Sequence, residues 1–366
     1  MLRPAWAEID ISAIKENLTS IKATLAPQTK LMAVVKANAY GHGLVPVAKA
    51  ALETAADRLG VALVEEAIEL REAGIEAPIH ILSEPPLIAV DEIAAYNLLP
   101  TVYSAELAQA LSRKAQIIQT PIKVHIKVDT GMHRVGVPIA KAVELYQAIR
   151  RLPGIQVEGA FTHFACADNP DDPYTTAQFK AFSTLKRSLP EIPIWHAANS
   201  AATLFMPETH LDMVRVGIAM YGLQPAIKPS PIPLKPALAL KTRICFVQDL
   251  QPGEGVSYGL TYKATRHLKA ATLPIGYGDG YSRLLSNKGE VLVSGRRVKL
   301  IGNICMDQAL IGLGNVKAEL GDEVVLIGNQ GRERISAEEI AQLLGTINYE
   351  IVCMINKRVA RLYHEE

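Results

Sequence analysis

The residue best placed for covalent chemistry is Lys36, within VVKANAYGHG (Val34–Gly43). An apolar run ends at this lysine, and a loop containing Gly41 and Gly43 follows. An amine at the end of a buried strand is partly desolvated, which disfavours the ammonium form and lowers its pKa. Such a lysine suits Schiff-base or general-base chemistry. A lone strand-end lysine more often reaches out to solvent, so the surrounding residues must decide. Further polar groups follow apolar runs: Arg134 in HIKVDTGMHRVG (His125–Gly136), His163 in GAFTHFA, Asn199 and Ser200 in HAANSAA, and Arg215, Gly217 and Ile218 in VRVGIAMYGL. Later come Tyr258 in VSYGLTY, Tyr277 in PIGYGDGYSR, and Met306 and Asp307 in GNICMDQ. Taken singly, these have plainer readings. His163 reads as a satisfied structural histidine, Asn199 and Ser200 as helix caps, and Met306 as core filler.

The elements that must carry these groups show two textures. Eight strand candidates precede residue 230: Leu31–Val35, Leu59–Leu63, Ile79–Leu82, Leu99–Tyr103, Lys123–Val128, Val157–Thr162, Ile194–His196 and Met213–Val216. Segments of helical periodicity lie between them, such as Val64–Ala73 and Ile139–Arg150. Eight strand–helix repeats predict an α/β chain opening with a (β/α)8 TIM-like barrel, assigned to 11–228, whose active site sits at the C-terminal ends of its strands. Pro225, Pro229, Pro231, Pro233 and Pro236 then break regular structure and mark 225–236 as a linker. Beyond it, Ala239–Val247, Ala270–Pro274, Glu290–Val293, Arg297–Ile301 and Glu323–Ile327 are rich in β-branched residues between Gly-containing turns. They predict a mostly β C-terminal domain over 237–366, joined by an N-terminal strand within 1–10. Ser336–Leu344 reads as a helix opened by a capping box of Ser336 and Glu339.

Composition excludes several classes. The 366 residues carry 38 Lys and Arg against 37 Asp and Glu, with no basic stripe of the kind nucleic acid requires. No apolar run is long enough to span a membrane, and the opening MLRPAWAEID lacks a secretory apolar segment. A cytoplasmic location is expected. The four cysteines are too far apart to form a zinc pair, and no metal site is expected.

In order and spacing, these motifs resemble the alanine racemases, fold-type III enzymes, over nearly the whole chain. The resemblance implies interconversion of L- and D-alanine on pyridoxal 5'-phosphate held as a Schiff base by Lys36, supplying D-alanine for peptidoglycan. It implies phosphate contacts from Tyr40, Ser200 and the backbone N–H groups of Gly217 and Ile218, with Asn199 beside them. Arg134 would touch the cofactor's phenolic oxygen and the substrate carboxylate. His163 would pack near the pyridine ring, and Arg215 would face its nitrogen. Met306, Tyr277 and Asp307 would line the substrate side. Racemisation needs a base on each face: Lys36 for the D-alanine proton, Tyr258 for that of L-alanine. An ordinary tyrosine, with pKa ~10, needs cationic neighbours to act as a base near neutrality. Tyr258 would come from the second subunit of a homodimer. Arginine only donates and stays charged, so Arg215 would leave the pyridine nitrogen unprotonated and suppress transamination. Lys127, seven residues before Arg134, would be carbamylated, since two cations facing one small site repel.

Two positions depart from the family pattern. Lys357 stands where relatives carry a tyrosine supporting the phosphate-binding tyrosine, and Asn303 where many carry an entrance arginine. The alternatives are a serine or broad-spectrum racemase, a non-catalytic pyridoxal-phosphate homeostasis protein and a decarboxylase of similar architecture. A barrel-only homeostasis protein would end near residue 230, before Tyr258, and the decarboxylase has other motifs in place of GNICMDQ.

Overall fold

The computed structural model describes residues 2–365; Met1 and Glu366, at the outer ends of the expected first strand and β-rich domain, lie outside the described residues. The chain forms two compact units. One holds the residues up to Ala13, Tyr40–His42 and the chain from Pro236 onward; the other holds Ile14–Ala39 and Gly43–Lys235.

After strand β1 (Ala5–Asp10) come the strands of the second unit: β2 (Lys30–Val34), β3 (Arg58–Val61), β4 (Ile79–Ile81), β5 (Leu99–Val102), β6 (Ile122–Asp129), a short β7 (Val137–Pro138), β8 (Ile155–Phe161), β9 (Ile194–His196) and β10 (Met213–Val216). They run β10-β2-β3-β4-β5-β6-β8-β9, with β7 off β6, and every ladder is parallel. Backbone bonds from Asp212 N to Trp195 O (3.1 Å) and Arg215 N to Ala198 O (3.0 Å) bridge the ends. The expected TIM-like barrel is therefore present, nearly closed.

Strand β6 shows how sequence builds the wall. In IKVHIKVD the apolar Ile122, Val124, Ile126 and Val128 are buried, and they alternate with Lys123, His125, Lys127 and Asp129. A period of two sends these sets to opposite faces. The apolar set packs under the helices, and the polar set faces inward. Carboxylates tie down the loops after the strands. Glu66 accepts from Ala37, Ala62 and Leu63 N–H groups, and Glu84 from those of Tyr103 and Ser104. The Pro-rich segment holds neither helix nor strand. Asn17 fixes its end, donating to Lys235 O (2.8 Å) and accepting from Lys235 N (2.8 Å).

The other unit is mostly β. Its strands are β11 (Leu238–Arg243), β12 (Phe246–Leu250), β13 (Gly255–Val256), β14 (Tyr262–Lys263), β15 (Leu268–Leu273), β16 (Glu290–Val293), β17 (Arg296–Leu300), β18 (Ala309–Gly312), β19 (Glu323–Gln330), β20 (Glu333–Ile335) and β21 (Ala360–His364). The main sheet runs β12-β15-β18-β17-β16-β19-β11-β1-β21, so the N-terminal strand joins it as expected. One expectation is corrected: Ala239–Val247 is not a single strand. Ile244 N bonds to Asp322 O and Cys245 N to Thr272 O, so the chain changes ladder partner there and splits into β11 and β12. The helix Ala337–Leu344 is capped by Ser336, but the other half of the box is not made, because Arg297 holds the Glu339 carboxylate at 2.6 and 2.9 Å. Among the described residues no helix is long and apolar enough to cross a membrane.

Candidate active site

Lys36 ends the run from β2 and opens an unusual turn. Ala37, Asn38, Ala39 and Tyr40 all have φ between 52° and 54°. Left-handed backbone costs about 1–2 kcal/mol per L-residue, so four together persist only where surrounding bonds impose them. Glu66 takes the Ala37 N–H at 2.6 Å, Val35 O takes Ala39 N–H at 2.7 Å, and Asn38 accepts from Leu44 N–H through Oδ1 and from Gly43 N–H through its carbonyl. Gly41 follows at φ +83°, where an added Cβ would sit 2.2 Å from Val352 O. The Tyr40 ring packs against Tyr349, centroids 6.0 Å apart. Lys357 is exposed, and Tyr349 belongs to the helix Asn348–Cys353.

Ser200 and Gly217 are brought together. Ser200 Oγ accepts from Gly217 N (2.9 Å) and Ala219 N (3.4 Å), which leaves its own hydrogen to donate outward. The Gly217 N–H is thereby directed at Ser200. Asn199 caps the helix Ser200–Phe205 through Ala202 N (3.0 Å), so the capping reading of that side chain holds. The first N–H groups of a helix have no partner within it, so the starts of Ser200–Phe205 and of the turn at Ile218 both offer donors. Arg215, 4% exposed, donates from NH1 to His196 Nδ1 (3.1 Å) and from NH2 to Thr162 O, Ala197 O and His163 Nδ1 (2.9, 2.9 and 3.1 Å). Its Nε–H has no acceptor among the described residues.

The barrel unit also gathers Lys127, Arg134 and His163. Lys127 is 5% exposed, and its pKa is lowered to about 8 by burial, then by Arg215 and Arg134, with Lys36 adding to them and Asp129 opposing. Burial and the same cations hold His163 neutral, well below its usual pKa. Burial lowers Arg215 to about 9, which still leaves it charged at neutrality. Arg134 is exposed and has no hydrogen bond or ion pair among the described residues. Its loop is pinned by Asp129, which accepts from Gly131 N and His133 N, and by Tyr174 OH on Gly131 O.

Tyr258, Tyr277, Met306 and Asp307 belong to the β-rich unit. Tyr258 is 73% exposed. Its loop is strained, with Ser257 and Leu260 at positive φ on either side of Tyr258 and Gly259. Asn303 Nδ2 donates to Tyr258 O at 2.7 Å, so Asn303 steadies this loop. Tyr277 N bonds to Cys305 O and Gly278 N to Met306 O, which sets the two loops side by side. Arg358 pairs with Asp307 at 2.5 Å.

Sequence reasoning missed Gln178, buried, which bonds Thr130, His163 O and Ala165 N and so joins the loops after β6 and β8. It also gave no role to His125 and His196, though both stand in segments singled out above. Glu158 and Arg58 were not noticed, and no local signal marks them.

Two family models match the chain: "Alanine racemase, N-terminal domain" over residues 9–225 and "Alanine racemase, C-terminal domain" over 237–363. Among curated relatives, the alanine racemase of Halothermothrix orenii is 48% identical, covering 99% of this chain and 97% of its own. That of Methanococcus maripaludis is 47% identical, covering 98% of each. Among solved structures, alanine racemase of Clostridium difficile 630 superposes with TM-score 0.95 at 40% identity, covering 100% of this chain and 97% of that one. The Bacillus anthracis alanine racemase with bound L-Ala-P gives TM-score 0.93 at 40% identity, covering 100% and 96%.

Proposed function

The chain belongs to the alanine racemase family, and on that premise we propose that it interconverts L- and D-alanine by moving the α-proton between Lys36 and Tyr258. Enzymes of this family depend on pyridoxal phosphate. When bound, that group supplies the electron sink that makes the α-proton removable. The observation that carries the reading is Arg215: a buried, donor-only group with four protein acceptors on NH1 and NH2 and an Nε–H that has none. That hydrogen suits an unprotonated ring nitrogen. Ser200 Oγ–H and the Ile218 N–H suit a phosphate at helix starts, and Tyr40 is assigned to the same phosphate. Lys36 would hold the cofactor covalently, then take or return the proton on one face. Arg134 and the Met306 N–H would bind the alanine carboxylate, with Tyr277 and Asp307 at the substrate side. Neutral His163 adds no charge beside the ring.

The opposite-face base is assigned to Tyr258 of the partner subunit in a head-to-tail homodimer. Tyr258, Leu260, Leu284 and Met306 are all more than half exposed, as residues covered in a homodimer would be in the isolated chain. Lys127 is assigned a carbamate. Its amine would form an N–C bond to carbon dioxide and lose a proton, replacing a buried cation by an anion beside Arg134. A cytoplasmic location and a supply of D-alanine for peptidoglycan complete the reading.

Two measurements test it. Borohydride should fix the cofactor to the peptide carrying Lys36; label on another lysine overturns the assignment. Circular dichroism should show L-alanine turning over far faster than L-serine. Comparable rates would instead support a broad-spectrum racemase.

A further inference from the structure

Behind Arg215 the barrel holds a line of hydrogen bonds that none of the roles above uses. Arg215 NH1 lies 3.1 Å from His196 Nδ1. His196 Nε2 lies 3.0 Å from His125 Nδ1. His125 Nε2 lies 2.9 Å from Glu158 Oε2, and Arg58 NH1 approaches that same oxygen at 2.8 Å. Both imidazoles are fully buried, at 0% exposure, so water cannot substitute for any of these partners.

The ends of the line dictate every proton within it. A guanidinium only donates and a carboxylate only accepts. His196 Nδ1 must therefore be bare, and its hydrogen must sit on Nε2. That hydrogen points at His125 Nδ1, which must be bare in turn, so His125 donates from Nε2 to Glu158. A proton on His125 Nδ1 would oppose the one on His196 Nε2. Both rings are thus neutral Nε2–H tautomers, and burial lowers the pKa of each in the same sense. Glu158 is held well below the usual carboxylate range, chiefly by His125 and, against the opposing effect of burial, by Arg58.

His80, His125 and His196 bring possible ligand atoms within 4.8 Å of one another, a spacing that suits a metal ion. The proton count argues against one. His125 and His196 have no lone pair left. Only His80 keeps a bare nitrogen: the Thr101 hydroxyl hydrogen is on Ile81 O, so His80 donates to Thr101 from Nε2, and its Nδ1 has no partner. Packing keeps the line rigid. A Cβ on Gly159 would lie 2.5 Å from the His125 ring, so that position admits the imidazole only as glycine. Phe161 stacks on His196 at 4.7 Å and 8°.

We infer that Glu158, acting through His125 and His196, is a positioning group for Arg215: the line fixes which way the guanidinium faces. The inference rests on the reading that Arg215 faces the cofactor nitrogen. His125, His196 and Glu158 touch neither cofactor nor substrate.

The test uses holoenzyme labelled with 15N in histidine and arginine. Proton–nitrogen correlation spectra should show His125 and His196 as Nε2–H tautomers. His125→Phe leaves the Glu158–Arg58 pair in place and cuts the line in the middle. It should shift the Arg215 Nε–H resonance and lower kcat roughly 10- to 100-fold, the equivalent of one hydrogen bond to a charged group. KM for alanine should stay within about twofold, because Arg134 rather than Arg215 binds the carboxylate. Glu158→Gln keeps an acceptor oxygen for His125, so it should retain both tautomers and recover most of the rate lost in His125→Phe. If His125→Phe fails to fold, the wild-type tautomers and Glu158→Gln still decide. An Nδ1–H form of either ring overturns the inference, as does zinc retained by the three histidines after chelation, or a folded His125→Phe protein with unchanged kcat and Arg215 resonance. Failure of the underlying reading looks different: Arg215→Lys would leave cofactor absorbance and kinetics untouched while the tautomers stood as assigned.

Discussion

Replacing Lys127 with methionine in buffer free of carbon dioxide should remove a pH-dependent penalty that the amine imposes on the folded chain. The folded pKa is about 8 against an ordinary 10.5, lowered by burial and then by Arg215 and Arg134. Between those values the unfolded chain binds more protons than the folded one. Unfolding free energy of the wild type, relative to Lys127→Met, must therefore rise with pH through this window. The penalty is complete below the folded pKa and gone above the unfolded one. Its size is about 3 kcal/mol, with a steepest slope of about 1.4 kcal/mol per pH unit. Urea unfolding of both proteins, from about pH 7 upward through this window, measures the difference; charges common to both cancel. Parallel curves would refute the claim that this amine is desolvated among cations. Adding 13C-bicarbonate then asks whether the amine is modified. A single carbamate carbon per chain, absent from Lys127→Met, is expected. A wild-type spectrum without that carbon, at a pH where the amine is neutral, rejects the carbamate.

Three further outcomes are expected. Lys36→Ala and Tyr258→Phe, each nearly inactive alone, should recover roughly a quarter of wild-type activity after subunit exchange, since half the dimers are mixed and each mixed dimer has one whole site of two; an exchanged but inactive mixture would place both bases in one chain. Asn303→Ala removes the bond to the Tyr258 carbonyl and should lower kcat about fivefold, near the 1 kcal/mol of a neutral hydrogen bond; steady-state rates equal to wild type would show that the strained loop holds without it. Gly41→Ala, with its Cβ 2.2 Å from Val352 O, should destabilise by roughly 2–4 kcal/mol in thermal melts, whereas Gly74→Ala, at a similar φ with nothing within 4 Å, should lose only about 1; equal losses would mean that backbone strain, not the clash, sets both.

The barrel could be read because each of its strands is a local event: a short apolar run between helical stretches, repeated eight times. The split at Ile244 and Cys245 could not, since an unbroken apolar run gives no sign that its ladder partner changes. β21 was missed for the same reason. RLYH is polar and exposed, and only its parallel pairing with β1, from the far end of the chain, makes it a strand. The turn at Ala37–Tyr40 defeats local reasoning altogether. Alanine favours right-handed helix, and of the four residues only Asn38 has any taste for the left-handed region. Most candidate site residues were found through shared motifs, not through local chemistry. The same motifs contained His125 and His196, which taken singly look like satisfied core histidines. Their meaning depends on Glu158, 33 residues from His125, and on a bond between histidines 71 positions apart. Such a line exists only once β6, β8 and β9 are neighbours.

Charge ties these residues to one demand. Arg215, Arg134 and Lys36 lower the Lys127 pKa beyond the effect of burial, and burial together with Arg215, Lys127, Arg134 and Lys36 holds His163 neutral. The carboxylate that opposes these cations at Lys127, that of Asp129, is already committed to the N–H groups of Gly131 and His133 and to the His133 ring. Glu158 answers Arg215 only through two neutral rings. Around Lys127 the positive charge of Arg215 and Arg134 is thus only partly opposed by Asp129. Self-repulsion of that kind destabilises a folded chain, and ligands that relieve it stabilise the native state by mass action. The complement is strongly anionic: a phosphate, a phenolate oxygen and a carboxylate. A neutral cofactor or a simple amine substrate would leave that repulsion standing. An amino acid bound beside a phosphorylated aldehyde would remove it, and a carbamate on Lys127 would take away one of the four cations.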